Sequence, residues 1–328
     1  TSEIWRQIES FAGYAFAKGH SASYAVESYQ SLFLKAYFPV EYMVATINNF
    51  GGFYSTELYV HETRMHGGII EAPCINNSLN ETIIQGKTVF LGFMFLHAFE
   101  SKNSKCLLLE RRKNGIFLSL DDFIERVPIS MEQVAILIKI NAFRFTGINK
   151  RELLWDAHLK ISKTIVQDYV MTLFRTERIQ YNTPELPSTV LENAFDELEL
   201  LGFPLCNPFY LLEKQSINSC RAKHLIQQQK KVVTIEGYLI TTKRTRTSNK
   251  KSMLFGTFLD HDGDFIDTVH FPPVAAKFPF RGKGIYNITG RVLVEFDCVN
   301  IEVISMYKQA VIEDPRYSDM RKAERYVR

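Results

Sequence analysis

The stretch "VVTIEGYLITTKR" (232–244) is the first of five β-rich segments that decide the architecture of the C-terminal part of the chain. The other four are also rich in β-branched and aromatic residues, and clusters of Gly, Asn, Asp or Lys separate them: "SMLFGTFLD" (252–260), "FIDTVHF" (265–271), "GIYNITGRVLVEF" (284–296) and "VNIEVISMY" (299–307). Short strands in such close succession are typical of all-β sandwiches and barrels. With five strands, we predict a small closed barrel.

The N-terminal half of the chain has a different pattern, in which apolar residues recur at helical spacing. Tyr24, Tyr29 and Leu32 follow this period until Pro39 ends it. The period returns over residues 119–161. The sequence therefore predicts a multidomain fold in which helices come first and a five-stranded barrel follows.

Two helix starts can be read from capping residues. Ser119 stands before Asp121 and Asp122, which predicts an N-cap followed by an acidic first turn. Ser130 opens another helix, with Gln133 at the position of a capping box.

Composition sets broad limits on the kind of protein. The 328 residues predict two or three domains at roughly 100–200 residues each, and the net charge of +3 neither demands nor excludes nucleic acid. The five cysteines are widely spaced, which fits reduced thiols without a disulfide framework or a zinc site. No signal-peptide pattern and no long apolar run is present, so we expect a cytoplasmic protein without a membrane partner. The first residue is Thr1, from which we expect a processed chain or a piece of a longer one.

Four collinear segments resemble one known family. They are "FAKGHSASYAVESYQSLFLKAYFPVEYMVATIN" (16–48), "LSLDDFIERVPISMEQVAILIKINAFRFTGINKRELLWDAH" (118–158), "LENAFDELELLGFPLCNPFYLL" (191–212) and "VTIEGYLITTKRTRTSNKKSMLFGTFLDHDGDFIDTVHFP" (233–272). In this order they resemble the C-terminal portion of the alpha subunit of bacterial replicative DNA polymerase III, a C-family DNA polymerase. The segments match the end of the fingers domain, the helix-hairpin-helix region, a bridge, and an oligonucleotide-binding (OB) barrel.

The resemblance implies a domain plan and a function. The plan is the C-terminal part of the fingers at 1–80, a helix-hairpin-helix region at 81–175, a linker with a bridging helix at 176–230, an OB-fold nucleic-acid-binding domain at 231–308, and a charged tail at 309–328. The implied function is to help hold the incoming deoxynucleoside triphosphate, primer–template duplex, single-stranded template and sliding clamp, together with other replicase subunits. The alternative is a stand-alone, palm-less DNA-binding accessory protein of replication or repair.

The polymerase carboxylates of the family lie in a palm domain that this chain does not contain. Two-metal phosphoryl transfer needs clustered carboxylates, whereas the first aspartate of the chain is Asp121. We therefore expect no catalytic residue, no metal and no cofactor in this chain, with Mg²⁺ in the missing palm, and no primer extension by the chain alone. A free nucleotide-processing enzyme that uses His20 is disfavoured for the same reason.

Three groups of candidate site residues follow from the resemblance. The turn at the head of the first helix is implied to face the nucleotide, although a solvated lysine and a capping histidine are the simpler alternative; its residues are Lys18, His20, Ser21 and Tyr24. A hairpin at a helix start is expected to contact the DNA backbone, with a solvated face as the alternative; its residues are Gly147, Asn149, Lys150 and Arg151. The segment "VMTLF" (170–174) resembles a clamp-binding peptide, with Met171, Leu173 and Phe174 as candidate contacts. Val170 stands where such peptides carry glutamine, and an ordinary helix end that packs two apolar residues is the alternative.

The other helix-hairpin-helix turn, within "FMFLHAFESKNSK" (93–105), contains no glycine. Because the left-handed region is costly for other residues, we predict a degenerate turn that cannot approach a phosphate. Lys102 and Lys105 offer point charges there, but a solvated loop is the simpler expectation.

The loop between the first two barrel strands is basic and contains no acid. Its cations are expected to follow the phosphates of single-stranded DNA while neighbouring rings stack on bases, and a solvated hairpin tip is the alternative. The candidates are Lys243, Arg244, Arg246, Lys250, Lys251, Phe255 and Phe258, with Phe271 as a further ring. Alternation along a strand places only some of these rings outward, and the others belong to the core.

Overall fold

The computed structural model describes residues 2–6, 18–164, 189–214, 220–246, 250–295 and 298–317. Its N-terminal part is mainly helical, with one small three-stranded sheet. The helices are α1 Lys18–Tyr37, α2 Pro39–Asn48, α3 Thr56–Met65, α4 Ser101–Asn114, α5 Leu120–Arg126, α6 Met131–Lys139, α7 Lys150–Thr164 and α8 Val190–Leu201, and the sheet is β1 Ile69–Glu71, β2 Ile83–Gln85 and β3 Thr88–Phe90. None of the helices in the described part of the chain is long and apolar enough to cross a membrane.

One apolar core holds the helical part together. Its fully buried members include Ile75, Phe93, Leu107, Phe123 and Phe143, which come from loops and helices far apart in sequence. Such a core keeps the hairpins between α3 and α8 in a fixed arrangement.

The C-terminal part is a closed five-stranded barrel, as predicted. Its strands are β4 Val232–Arg246, β5 Ser252–Leu259, β6 Phe265–His270, β7 Ile285–Glu295 and β8 Cys298–Lys308, with α9 Pro272–Lys277 between β6 and β7. Counted within the barrel, the strand order is 1-2-3-5-4, with strands 1 and 4 closing it. A five-stranded Greek-key barrel of this kind is an OB-fold, so the predicted fold class is confirmed.

The predicted caps have opposite outcomes. The Ser119 hydroxyl accepts a hydrogen bond from the Asp122 N–H at 3.1 Å, which confirms the N-cap of α5. The capping box at Ser130 is wrong, because Ser130 makes no side-chain cap bond. The Gln133 amide is used elsewhere: it accepts from the Glu100 N–H at 2.8 Å and donates to the Ala98 carbonyl at 2.8 Å.

The barrel and the helical part meet at a junction formed by α3 and β4. Leu58 of α3 packs in one buried cluster with Tyr238, Leu259 and Ile285 of the barrel. The Tyr238 hydroxyl donates to the Glu57 carboxylate at 2.8 Å. Buried apolar and polar contacts together fix the barrel against α3.

Candidate nucleic-acid interface

The β4–β5 hairpin carries the basic loop that the sequence singles out. Lys243 pairs with Phe255 across the two strands, and Arg244 pairs with Leu254. Lys243, Arg244, Arg246, Lys250 and Lys251 are all exposed. The hairpin therefore presents five cations to solvent, three from β4 and two from the residues just before β5.

Phe255 and Phe258 lie on opposite sides of β5. Phe258 has no exposed surface and packs in the barrel core, so its assignment to a stacking surface is wrong. The physical reason is strand alternation: residues three apart point to opposite faces, and the inward face is the one that fills the barrel. Phe255 is half-buried beside Lys243 on the outer face, and Phe271 is exposed at the start of α9.

A groove of about 530 Å³ runs between the hairpin and α9. Arg244, Lys251 and Leu254 line one side, and Pro272 and Ala276 line the other. The Arg244 Nε–H donates to the Ser252 hydroxyl at 2.8 Å, which holds the guanidinium along the hairpin. The groove combines apolar walls with cationic edges, and this combination suits a base and its phosphate.

The hairpin between α6 and α7 has the backbone geometry of a tight turn. Asn141 and Gly147 both have positive φ, at 61° and 70°. Gly147 is exposed, and a Cβ added to it would meet nothing within 4 Å. The Asn149 side chain accepts from the Arg151 N–H at 2.9 Å, which caps the start of α7. The loop at 147–149 is thus open to a close approach from solvent.

Lys150 does not face that solvent. Its ammonium forms an ion pair with Asp196 of α8, and only 7% of the lysine is exposed. Moving this ammonium to a phosphate would break a buried ion pair, which is strongly destabilising. The expected phosphate contact of Lys150 is therefore corrected to a structural ion pair between α7 and α8. Arg151 is partly exposed and pairs with Glu192, also of α8.

The glycine-free turn adopts the backbone conformation that we expected it to lack. Ala98 has a φ of 60° and is exposed. The Gln133 amide donates to the Ala98 carbonyl and accepts from the Glu100 N–H two residues later, which compensates for the cost of a left-handed alanine. Lys102 beside this turn pairs with Glu100 at 2.8 Å, and Lys105 is exposed.

The candidate nucleotide-facing residues open α1, which begins at Lys18. His20, Ser21 and Tyr24 are exposed, and the His20 ring meets the Tyr24 ring edge-on with 4.5 Å between centroids. The candidate clamp residues Met171, Leu173 and Phe174 lie outside the described residues.

Burial shifts the pKa of several groups near the junction. It lowers the pKa of His61, whose Nε2–H donates to the Gly263 carbonyl of the barrel at 2.9 Å. It raises the pKa of Glu197, whose carboxylate accepts from the Leu205 N–H at 2.6 Å. His61 links α3 to the barrel, and Glu197 fixes the segment that follows α8.

Three aspartates in the β5–β6 turn bring their carboxylates within 4.8 Å of one another. Asp260 accepts from the backbone N–H groups of Asp262 and Asp264, each at 2.9 Å. Asp262 pairs with Lys223 at 2.7 Å. Their hydrogen bonds and ion pairs are those of a turn-stabilising cluster, and we assign no ion to it.

Sequence reading missed a second basic element of the barrel, which follows α9. Lys277, Arg281 and Lys283 are exposed there. The signal that was available is the complete lack of acidic residues from Thr268 to Val294. The basic residues are spread over a longer segment than in the hairpin, so they do not form a visible run.

Comparison with known proteins supports the resemblance. A family model of the helix-hairpin-helix motif matches residues 67–153. DNA polymerase III subunit alpha of Borreliella burgdorferi is 27% identical over 340 residues, covering 94% of this chain and 29% of that protein. An error-prone DNA polymerase of Mycobacterium bovis is 32% identical over 157 residues, covering 47% of this chain and 14% of the relative. The predicted resemblance is confirmed, and the chain spans less than a third of the length of these relatives.

Two solved structures show weaker similarity. The second OB-fold domain of replication protein A from Methanococcus maripaludis is 17% identical, covers 26% of this chain and 87% of that domain, and has a TM-score of 0.20. RecG bound to a three-way DNA junction is 16% identical, covers 70% of this chain and 36% of RecG, and also has a TM-score of 0.20. The assignment of the barrel rests on its own strand order.

Proposed function

We propose that this chain is a DNA-holding part of a replicative or error-prone DNA polymerase, and that its barrel binds single-stranded template. The observation that carries the proposal is the β4–β5 hairpin, which exposes five cations, one of which, Lys243, lies beside the outward ring of Phe255. A phosphate chain follows the cations, and a base stacks on the ring. The names of the relatives support a polymerase, and the helix-hairpin-helix match supports DNA as the ligand.

The experiment is single-strand binding by the whole chain, followed by the fluorescence anisotropy of a labelled oligonucleotide at several salt concentrations. Each phosphate neutralised on a single strand adds roughly 0.7 to the slope of log affinity against log salt. A variant with Arg244→Gln, Arg246→Gln, Lys250→Gln and Lys251→Gln should bind more weakly and with a flatter salt dependence. Parallel salt curves for the two folded proteins would refute the role of the hairpin.

A matched control removes two cations from the other end of β4. Lys231 and Arg291 are exposed, and Arg291 pairs with Val232 at the start of this 15-residue strand. Lys231→Gln with Arg291→Gln should leave the salt slope unchanged if binding is local to the hairpin. An equal loss in this variant would indicate a general charge effect.

For duplex DNA we propose contacts at the open loop 147–149 before α7. The phosphate would approach the exposed backbone of Gly147, and Asn149 would lie beside it. Asn149→Asp keeps an oxygen that caps Arg151 but places a negative charge against the phosphate. Duplex affinity should fall while the unfolding midpoint stays the same. Unchanged affinity would remove this loop from the proposed interface.

Two finer parts of the proposal concern partners of the longer polymerase. In a polymerase that contains this chain, Lys18→Ala with His20→Ala should raise the apparent KM for the incoming nucleotide, because His20 is exposed at the head of α1 and Lys18 opens it. Leu173→Ala with Phe174→Ala should weaken binding to the sliding clamp. Unchanged incorporation kinetics or unchanged clamp affinity would withdraw the respective residues.

A further inference from the structure

The barrel has a second cationic element that lies beside the hairpin. The loop after α9 carries Lys277 and Arg281, both exposed. Among the described residues neither has an ion-pair partner, whereas Lys283 in the same loop pairs with Glu57. Two cations of this loop are therefore available to a ligand.

The Arg281 loop is held in a defined shape. The Arg281 N–H donates to the Tyr286 hydroxyl at 2.8 Å, and the same hydroxyl donates to the Gly282 carbonyl at 2.6 Å. Gly282 has a φ of 77°, and a Cβ added there would meet nothing within 4 Å. The Lys308 ammonium donates to the Arg281 carbonyl at 3.2 Å, which adds a third cation to this end of the barrel. A preformed basic loop orders fewer side chains on binding than a flexible one.

Two observations place this loop next to the hairpin. Ala275 and Ala276 of α9 line the same groove as Arg244 and Lys251, and Lys277 follows them directly. The ring of Phe280 comes within 2.8 Å of where a Cβ on Gly256 of β5 would lie. Lys277 therefore adjoins the groove, and Arg281 follows a ring that packs against β5 from inside the barrel.

We propose that the groove between the β4–β5 hairpin and α9 continues to Lys277 and Arg281, and that a single strand leaving the hairpin places further phosphates on these two residues. This inference rests on the proposed single-strand binding and names the path that the strand takes. Acidic residues are absent from the hairpin strands and their loop, Gly237 to Leu259, and from the segment Thr268 to Val294. A polyanion that follows the groove therefore meets only positively charged Lys and Arg side chains along both segments and no acidic residue from either.

The test compares three proteins on single-stranded DNA: the wild-type chain, Lys277→Gln with Arg281→Gln, and the control Lys231→Gln with Arg291→Gln. Removing two phosphate contacts should lower the salt slope by about 1.4, at roughly 0.7 per phosphate. Because both variants remove two charges from the barrel, a general field effect would change them equally. The control should follow the wild type.

Oligonucleotide length gives a second readout. Wild-type affinity should rise with length until the strand spans both the hairpin and the Lys277 loop, and it should then level off. The Lys277→Gln, Arg281→Gln variant should match the wild type on the shortest oligonucleotides and lose several-fold on the longer ones. A charge effect without a defined path lowers affinity at every length.

The outcomes separate this inference from the proposed function. One outcome is that the quadruple hairpin variant loses binding while the Lys277→Gln, Arg281→Gln variant keeps the wild-type salt slope and length profile. The proposed path is then wrong, and single-strand binding by the hairpin stands. If the wild-type chain binds no single strand, both are overturned. Equal losses in the Lys277 and control variants would also overturn the path.

Discussion

His270 at the end of β6 makes the stability of the barrel depend on pH. Its ring has no exposed surface, and its Nε2–H donates to the Thr268 hydroxyl at 3.0 Å. Nδ1 is buried without a partner among the described residues. Protonation would bury a charge beside the Phe280 ring, 4.8 Å away between centroids, and burial lowers the pKa of His270 to about 4.

The sign and size of the effect follow from linkage. A histidine whose pKa falls from 6.5 to about 4 on folding binds its proton mainly in the unfolded state between these values. The stability contributed by neutral His270 is therefore fully present above about pH 6.5, and it is lost as the pH falls towards 4. With about 1.4 kcal/mol per pH unit, the loss reaches about 2 kcal/mol near pH 5 and about 3 kcal/mol near pH 4.

The assay is amide hydrogen exchange of β4 to β8 peptides in the wild-type chain and in His270→Gln and His270→Leu variants. At one pH the intrinsic exchange rates are the same in all three proteins, so the ratio of rates gives the difference in opening free energy. Titration of His61 and of the carboxylates cancels in this comparison. The wild type should lose about 2 kcal/mol more than either variant between pH 7.5 and 5. Equal pH dependence in all three would refute the reasoning.

Three further predictions test individual contacts. Phe258→Ala should destabilise the barrel by about 3–5 kcal/mol in urea unfolding, whereas Phe255→Ala should spare stability and weaken single-strand binding by about 1–3 kcal/mol. Asp196→Ala should cost about 3–5 kcal/mol of stability because it strands the buried ammonium, while Lys150→Met should cost less, since Asp196 keeps a second cationic partner. Tyr238→Phe should loosen the junction by about 1.5–3 kcal/mol, measured as faster exchange in α3 peptides.

The contrary results are equally specific. An unchanged free energy of unfolding in Phe258→Ala would mean that the ring does not belong to the barrel core. Full stability of Asp196→Ala would mean that the lysine reaches solvent and is again a candidate phosphate contact. Unchanged α3 exchange in Tyr238→Phe would mean that the hydroxyl contributes nothing to the junction.

The barrel was predictable from sequence because its signals are local. β-branched runs and turn residues lie within each strand, and the bounds of β4 and β5 agree with the quoted segments to within two residues. The face that each ring occupies was not predictable. Phe255 and Phe258 lie on opposite faces of β5, and closure of the barrel determines which of these faces points into the core.

The errors in the helical part have one physical origin, which is distance along the chain. Lys150 looks like a solvated cation until Asp196, 46 residues later, folds against it. Gln133 looks like a capping residue until the loop at Ala98, 35 residues earlier, takes its amide. The local sequence around Lys150 or Gln133 does not indicate either partner, because packing of the core brings these partners close.

The junction should determine how well the two proposed DNA sites act together. Tyr238 lies on β4, the strand that leads to the basic hairpin, and its hydroxyl donates to Glu57 of α3 at 2.8 Å. If the barrel holds a single strand while the loop at 147–149 holds the adjoining duplex, a rigid junction raises the effective concentration of the second site. Tyr238→Phe should then weaken binding to duplex with a single-stranded overhang, while affinities for a separate duplex and a separate single strand stay at their wild-type values. Anisotropy with the three oligonucleotides measures this, and an equal loss on all three would show that the junction does not couple the sites.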